Sequence, residues 1–157
     1  MTPKDVLAYT IKHLATLKQL NHKAAFVGLP KEAVGGEIYG GGRSIIANGA
    51  THEYGYGPIP QRSFLRVPFD IKRAEIATEM KAQFSAVVNG QISVDTALGR
   101  IGAAATNVSK GAFTSLGYDT WTPDTPETIR RKGRSQTLID TGILRSSITW
   151  VIRDAST

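Results

Sequence analysis

The chain has 157 residues, enough for one domain with its own core. It is 41% hydrophobic and 20% charged and has no cysteine, which suits a globular protein and excludes disulfides, thiol catalysis and Cys-based zinc sites. The formal charge of +6 points to an acidic partner, nucleic acid or an acidic protein surface, or simply to a basic solvated surface. There is no signal-peptide h-region and no apolar run near the ~20 residues of a membrane span, so no membrane partner is expected.

Thr2-Pro3-Lys4-Asp5 has the make-up of a helix start: a side-chain cap, a proline for the first turn and an acid facing the dipole. Leu7, Ile11, Leu14 and Leu17 follow on one face, so 2–19 is expected to be an amphipathic helix ended by Asn21-His22. Residues 24–29 form an apolar run stopped by Pro30 and read as a buried strand. Residues 31–43 hold five glycines (Gly35, Gly36, Gly40, Gly41, Gly42) and are expected to be a mobile surface loop. A short helix with Ile45, Ile46 and Ala50 on its apolar face fits 44–54. Gly55, Gly57, Pro58 and Pro60 then force an extended connection.

Phe69, Ile76, Met80, Phe84 and Val87 keep a helical stripe over 66–88, closed by Asn89-Gly90. Ser93 or Asp95 opens the next helix, with Val94, Leu98, Ile101, Ala105, Val108 and Ala112 inward. Gly99, Gly102 and the alanines at 103–105 suggest a close helix–helix approach, and Gly117 marks the end. Residues 118–135 are irregular except for a short helix 126–131 capped by Thr125. Asp140 or Thr141 caps another helix around 141–147, and 147–152 reads as a closing strand. The expected fold is α+β: a single domain over 1–157 with about three main helices on a small, mostly antiparallel sheet containing 24–29 and 147–153. An isolated two-stranded sheet is marginal, which leaves room for a hairpin from 31–58 or for partner chains to complete it.

Residues 56–66 read as an extended arm. Pro58, Pro60 and Pro68 reduce the entropy lost on docking, Phe64, Leu65 and Phe69 offer apolar area, and Arg62 and Arg66 offer donors. The same Phe64 and Leu65 equally suit a staple that ties the following helix to the core.

Ligand and catalytic patterns fail. Gly36 and Gly41 have the spacing of a phosphate loop, but Gly42 stands where Lys is required, and the register that uses Arg43-Ser44 puts Glu37 in place of the first glycine. His52-Glu53 opens like a zinc-protease helix, with Tyr56 where the second histidine belongs. His13 and His22 make no ligand spacing, and no nucleophile elbow occurs, so no catalytic residue, metal or cofactor is assigned. Arg130, Arg131, Lys132 and Arg134 form a basic cluster suited to DNA or an acidic partner, though a solvated helix end is the commoner origin of such a run.

Several segments share their order and spacing with one family: 50–55 (Ala-Thr-His-Glu-Tyr-Gly), 59–66 (Ile-Pro-Gln-Arg-Ser-Phe-Leu-Arg), 98–102, Trp121-Thr122-Pro123, 128–133 and 138–148. Over roughly 45–153 the chain resembles the minor tail-component or tail-completion proteins of long-tailed double-stranded DNA bacteriophages, including Mu-like virion-morphogenesis proteins. The family has Pro where Gln61, Ser63 and Thr137 stand here, and residues 1–44 carry no matching motif. The resemblance implies a non-enzymatic virion protein of the tail or neck, assembled in the host cytoplasm. Its partners would be copies of itself in a ring, neighbouring tail and neck proteins, and DNA in the lumen. Ring closure needs one surface to present and another to receive. The arm residues Ile59, Arg62, Phe64, Leu65 and Arg66, with Leu138, Ile139, Leu144 and Arg145, are the expected oligomer interface. A small sequence-independent DNA-binding protein is the alternative, and an enzyme with an unrecognised pocket ranks last.

Overall fold

A computed structural model describes residues 2–34, 38–39 and 42–155. Helix α1 (Pro3–His22) starts at Thr2, whose hydroxyl accepts from the Asp5 N–H while Asp5 accepts from the Thr2 N–H, a reciprocal cap. Strand β1 (Lys23–Gly28) follows directly, then α2 (Lys31–Val34) and the two short strands β2 (Ile38–Tyr39) and β3 (Arg43–Ser44). Next come α3 (Ile45–Tyr54), α4 (Arg66–Ile71), α5 (Arg73–Val88) and α6 (Val94–Ala112). The chain closes with α7 (Leu116–Asp119), α8 (Pro126–Lys132), α9 (Ile143–Ser147) and β4 (Thr149–Asp154).

The fold mixes helices with small antiparallel sheets, in keeping with an α+β class, but the described residues form nine helices rather than about three. Three are long: α1, α5 and α6, with 20, 16 and 19 residues. The rest are short, and three of them, α3, α7 and α8, start where the N-cap side chain supplies the missing acceptor. Ser44 caps α3 through the Ala47 N–H, and Thr125 caps α8 through the Thr128 N–H. The stripe expected to be one helix over 66–88 breaks at Lys72, whose backbone leaves helical geometry (φ −96°, ψ 16°). Within 31–43, α2 and the β2–β3 hairpin occupy part of the expected loop; Gly35, Gly36, Gly40 and Gly41 lie outside the described residues.

The sheet predicted from 24–29 and 147–153 forms: β1 pairs with β4 from Lys23↔Asp154 to Gly28↔Thr149. Two strands alone are marginal, and α6 backs them. A Cβ on Gly102 would stand 2.8 Å from Trp150 Cγ, so the glycine lets the indole of β4 lie directly on the helix. The small-residue face of α6 therefore admits a strand residue, not the second helix expected from the sequence. On the other side of α6, Ile45, Phe64, Ala112, Phe113, Trp121, Leu144 and Ile148 form the main core. A smaller cluster joins Val87, Val94, Ala97 and Leu98 where α5 meets α6, and Leu20 of α1 reaches it.

Candidate functional site

The segment 59–66 is built into the protein. Its anchor is Glu53, a carboxylate near the end of α3 that is 4% exposed. Glu53 accepts from the Ser63 hydroxyl at 2.7 Å and from the N–H groups of Phe64, Leu65 and Arg66 at 2.8, 3.0 and 3.1 Å. The Arg66 Nε donates to the same carboxylate at 3.1 Å. Helix α4 has no side-chain cap of its own, and these N–H groups at its start need acceptors. Glu53 supplies them from another helix, with the charge that a helix N-terminus favours. Ser63 passes the bond on by accepting from the Val67 N–H at 3.0 Å.

A second polar cluster holds the other side of the segment. Asp124 sits between Arg62, at 3.1 Å, and Lys132, at 2.7 Å, and all three side chains are less than a tenth exposed. Arg62 also donates to the carbonyls of Thr122 and Pro123, and Lys132 to that of Gln136. The Arg62 N–H donates to the His52 carbonyl at 2.8 Å, so α3 carries both ends of the clamp. Burial, chiefly, with Arg62 and Lys132 nearby, pushes the His52 imidazole below its ordinary pKa; Asp124 opposes this. Its Nδ1 is buried without a hydrogen-bond partner. A neutral imidazole is what two neighbouring cations around one carboxylate would leave.

Apolar contacts complete the lock. Phe64, 1% exposed, packs on Phe113, and Phe113 packs edge-on against Trp121, with ring centroids 5.6 and 5.3 Å apart. The Trp121 indole donates to the Ser63 carbonyl at 2.8 Å and the Ser109 hydroxyl to the Phe64 carbonyl at 2.7 Å.

These positions correct the picture of a free arm. Arg62, Phe64 and Leu144 are buried in the chain's own core, and Leu65, Leu138 and Ile139 pack against it half-buried. The staple is the reading of Phe64 and Leu65 that the packing supports. Ile59 is half-buried and bridges Tyr56. Arg66 is about half-exposed, with its guanidinium over the Tyr54 ring, and Arg145 is exposed, its Nε donating to the Lys110 carbonyl. In the basic cluster, Arg130, Arg131 and Arg134 are exposed, whereas the Lys132 ammonium is spent on Asp124. The lysine's burial follows from its position on α8, facing Asp124, which the run of basic residues concealed.

Sequence reasoning missed Glu53 and Asp124 as the acceptors of the two clamps. A signal was present for one of them: Glu53 lies inside the segment 50–55, whereas Asp124 falls just after Trp121-Thr122-Pro123 and outside every motif. A different surface remains open. An apolar groove of about 550 Å³ runs between β1, α5 and α6, with Phe69, Ile76, Ala77, Met80 and Phe84 along one wall and Ile101, Gly102 and Ala105 along the other. Among the described residues no group of three or more His, Asp or Glu side chains is placed to hold a metal ion, and no helix is long and apolar enough to cross a membrane.

No protein-family model matches the chain, and neither a curated protein nor a solved structure matches it.

Proposed function

We propose that this chain is a structural virion protein of a tailed bacteriophage, acting without catalysis in an oligomeric ring at the head-proximal end of the tail or at the head–tail neck. One observation supports the reading: segments of the resemblance far apart in sequence converge on one lock. Glu53, Arg62, Phe64, Trp121, Lys132, Leu144 and Ile148 come from five of those segments, and they meet in the two clamps and the main core.

The test is electron microscopy of lysates from the parent phage with this gene deleted. DNA-filled heads separate from unjoined or abnormal tails are expected. Normal infectious particles would overturn the proposal.

A second reading, sequence-independent DNA binding, draws on the exposed Arg130, Arg131 and Arg134. These arginines at the end of α8 also complement its dipole, which accounts for two of them without DNA. Duplex binding that falls steeply with salt and disappears in the Arg130→Ala/Arg131→Ala/Arg134→Ala variant would favour this reading.

A further inference from the structure

Residues 116–121 run as a strap from the end of α6 toward α8. Gly117 and Trp121 face inward and are buried, while Leu116, Asp119 and Thr120 are exposed. The turn α7 inside this strap is left-handed: φ is +50° at Leu116, +70° at Gly117, +56° at Tyr118 and +67° at Asp119. Among the described residues only one other non-glycine residue, Leu138, has a positive φ. A left-handed residue other than glycine costs about tenfold in population, and such residues ordinarily occur singly. We infer that residues 116–121 form a strained strap that swings open while the rest of the chain stays folded, uncovering the Ser63 carbonyl and the Phe113 ring. Only a use of the uncovered patch in assembly rests on the ring reading above; the opening itself does not.

Both ends of the strap are anchored, which confines the movement. Before it, the Ser115 N–H and hydroxyl both donate to the Gly111 carbonyl, and Phe113 packs on Phe64. After it, the Thr122 and Pro123 carbonyls accept from Arg62, and Asp124 pairs with the same guanidinium. Between these anchors the turn is held largely by its own bonds: the Tyr118 N–H donates to Ser115 Oγ, the Asp119 N–H to the Ser115 carbonyl and the Trp121 N–H to the Leu116 carbonyl. Two hydrogen bonds tie it to the body, from Trp121 Nε1 to the Ser63 carbonyl at 2.8 Å and from the Tyr118 hydroxyl to the Val108 carbonyl at 2.9 Å. The Lys72 ammonium lies 5.3 Å from the Tyr118 ring centroid. Gly117 is fixed by the same packing, because a Cβ there would overlap the Trp121 ring.

The opposing magnitudes nearly cancel. Burying the Trp121 indole favours the closed strap by roughly a hundredfold or more. The two bonds to the body add about fivefold each, net of water. Against them stand Leu116, Tyr118 and Asp119, which at about tenfold each return roughly a thousandfold. Backbone freedom regained on opening adds to the same side. The closed strap prevails, but by a margin well below the roughly 10³–10⁸ that holds a whole domain folded. The strap therefore opens far more often than the chain unfolds. Glu53 is untouched by this movement, since its bonds to Ser63 and to the N–H groups of 64–66 lie outside the strap.

The experiment is native-state hydrogen exchange on the full chain by NMR, with the amides of 101–108 in α6 as the reference for global unfolding. The Trp121 indole N–H and the Asp119 and Trp121 amides are hydrogen-bonded in the closed strap. After correction for intrinsic rates they should exchange about a hundredfold faster than the reference or more, with little dependence on denaturant. Asp119 is exposed, so its side chain can be changed without touching the core. Asp119→Gly relieves one strained residue and should slow the indole's exchange about tenfold relative to Asp119→Ala, which keeps the strain. Gly117→Ala should speed the indole's exchange while α6 stays protected. Indole exchange as slow as that of α6 in the wild type, equal exchange in the two Asp119 variants, or an indole still protected in Gly117→Ala would overturn the strap. Normal particles after loss of the gene would overturn the phage reading and leave the strap standing.

Discussion

Helices α1 and α6 are nearly equal in length, 20 and 19 residues, and both show apolar side chains at helical spacing. Yet α6 buries ten of its residues and α1 none. The difference lies in what receives them. Gly99 and Gly102 open one side of α6 to the Trp150 indole, its other sides meet α5 and the aromatic core, and every neighbour is in the same chain. Helix α1 carries leucines and an isoleucine along one face, yet the residue it packs into a core cluster is Leu20 in its last turn. Amphipathic spacing shows that a face seeks cover; only the tertiary arrangement decides whether the cover is internal.

The predictions press on that contrast, largest effect first. Glu53→Ala should cost about 3–5 kcal/mol in denaturant unfolding, because the Arg66 guanidinium, the Ser63 hydroxyl and the N–H groups of 64–66 lose their shared acceptor. Gly102→Ala should cost about 1–3 kcal/mol, since the added methyl meets the Trp150 ring and β4 must move. A cost under 0.5 kcal/mol would mean that the strand is not seated on α6 as described.

Acidification should act through His52. Its folded-state pKa is below the ordinary 6.5, so the unfolded chain binds the proton more readily. Stability from this group is therefore whole above about 6.5 and is lost as pH falls from there toward the lowered folded value. In thermal melts from pH 7.5 to 5.5, His52→Gln should show a shallower decline than the wild type. At the small end, Leu14→Ala on α1 should leave monomer stability within about 0.5 kcal/mol, against the 2–5 kcal/mol expected for Leu144→Ala in the core. An equal cost at both sites would erase the contrast between an open and a covered helix.

The arm at 59–66 shows the reverse of α1. With its proline, arginines and serine it reads as a segment that reaches outward, yet Arg62, Ser63 and Phe64 are among the most buried residues. The polar atoms are buried because Glu53, Asp124 and the Trp121 indole meet them, each bond satisfying what burial would otherwise leave costly. Lys132 went the same way, from a supposed surface cluster to a buried partner.

By itself the sequence determined the local features. Caps at Thr2, Ser93 and Thr125, the inward face of α6, and the two strands of the main sheet follow from interactions within a few residues, which neighbouring side chains decide. Only the tertiary structure decided which faces find a partner. Glu53 lies eleven positions from Phe64, Arg62 sixty-two from Asp124, and Gly102 forty-eight from Trp150, so no local pattern carries these pairings. They exist because chain closure brings together groups whose hydrogen bonds and shapes happen to complete one another. The α1 stripe stays open because, within one copy, nothing is brought to it.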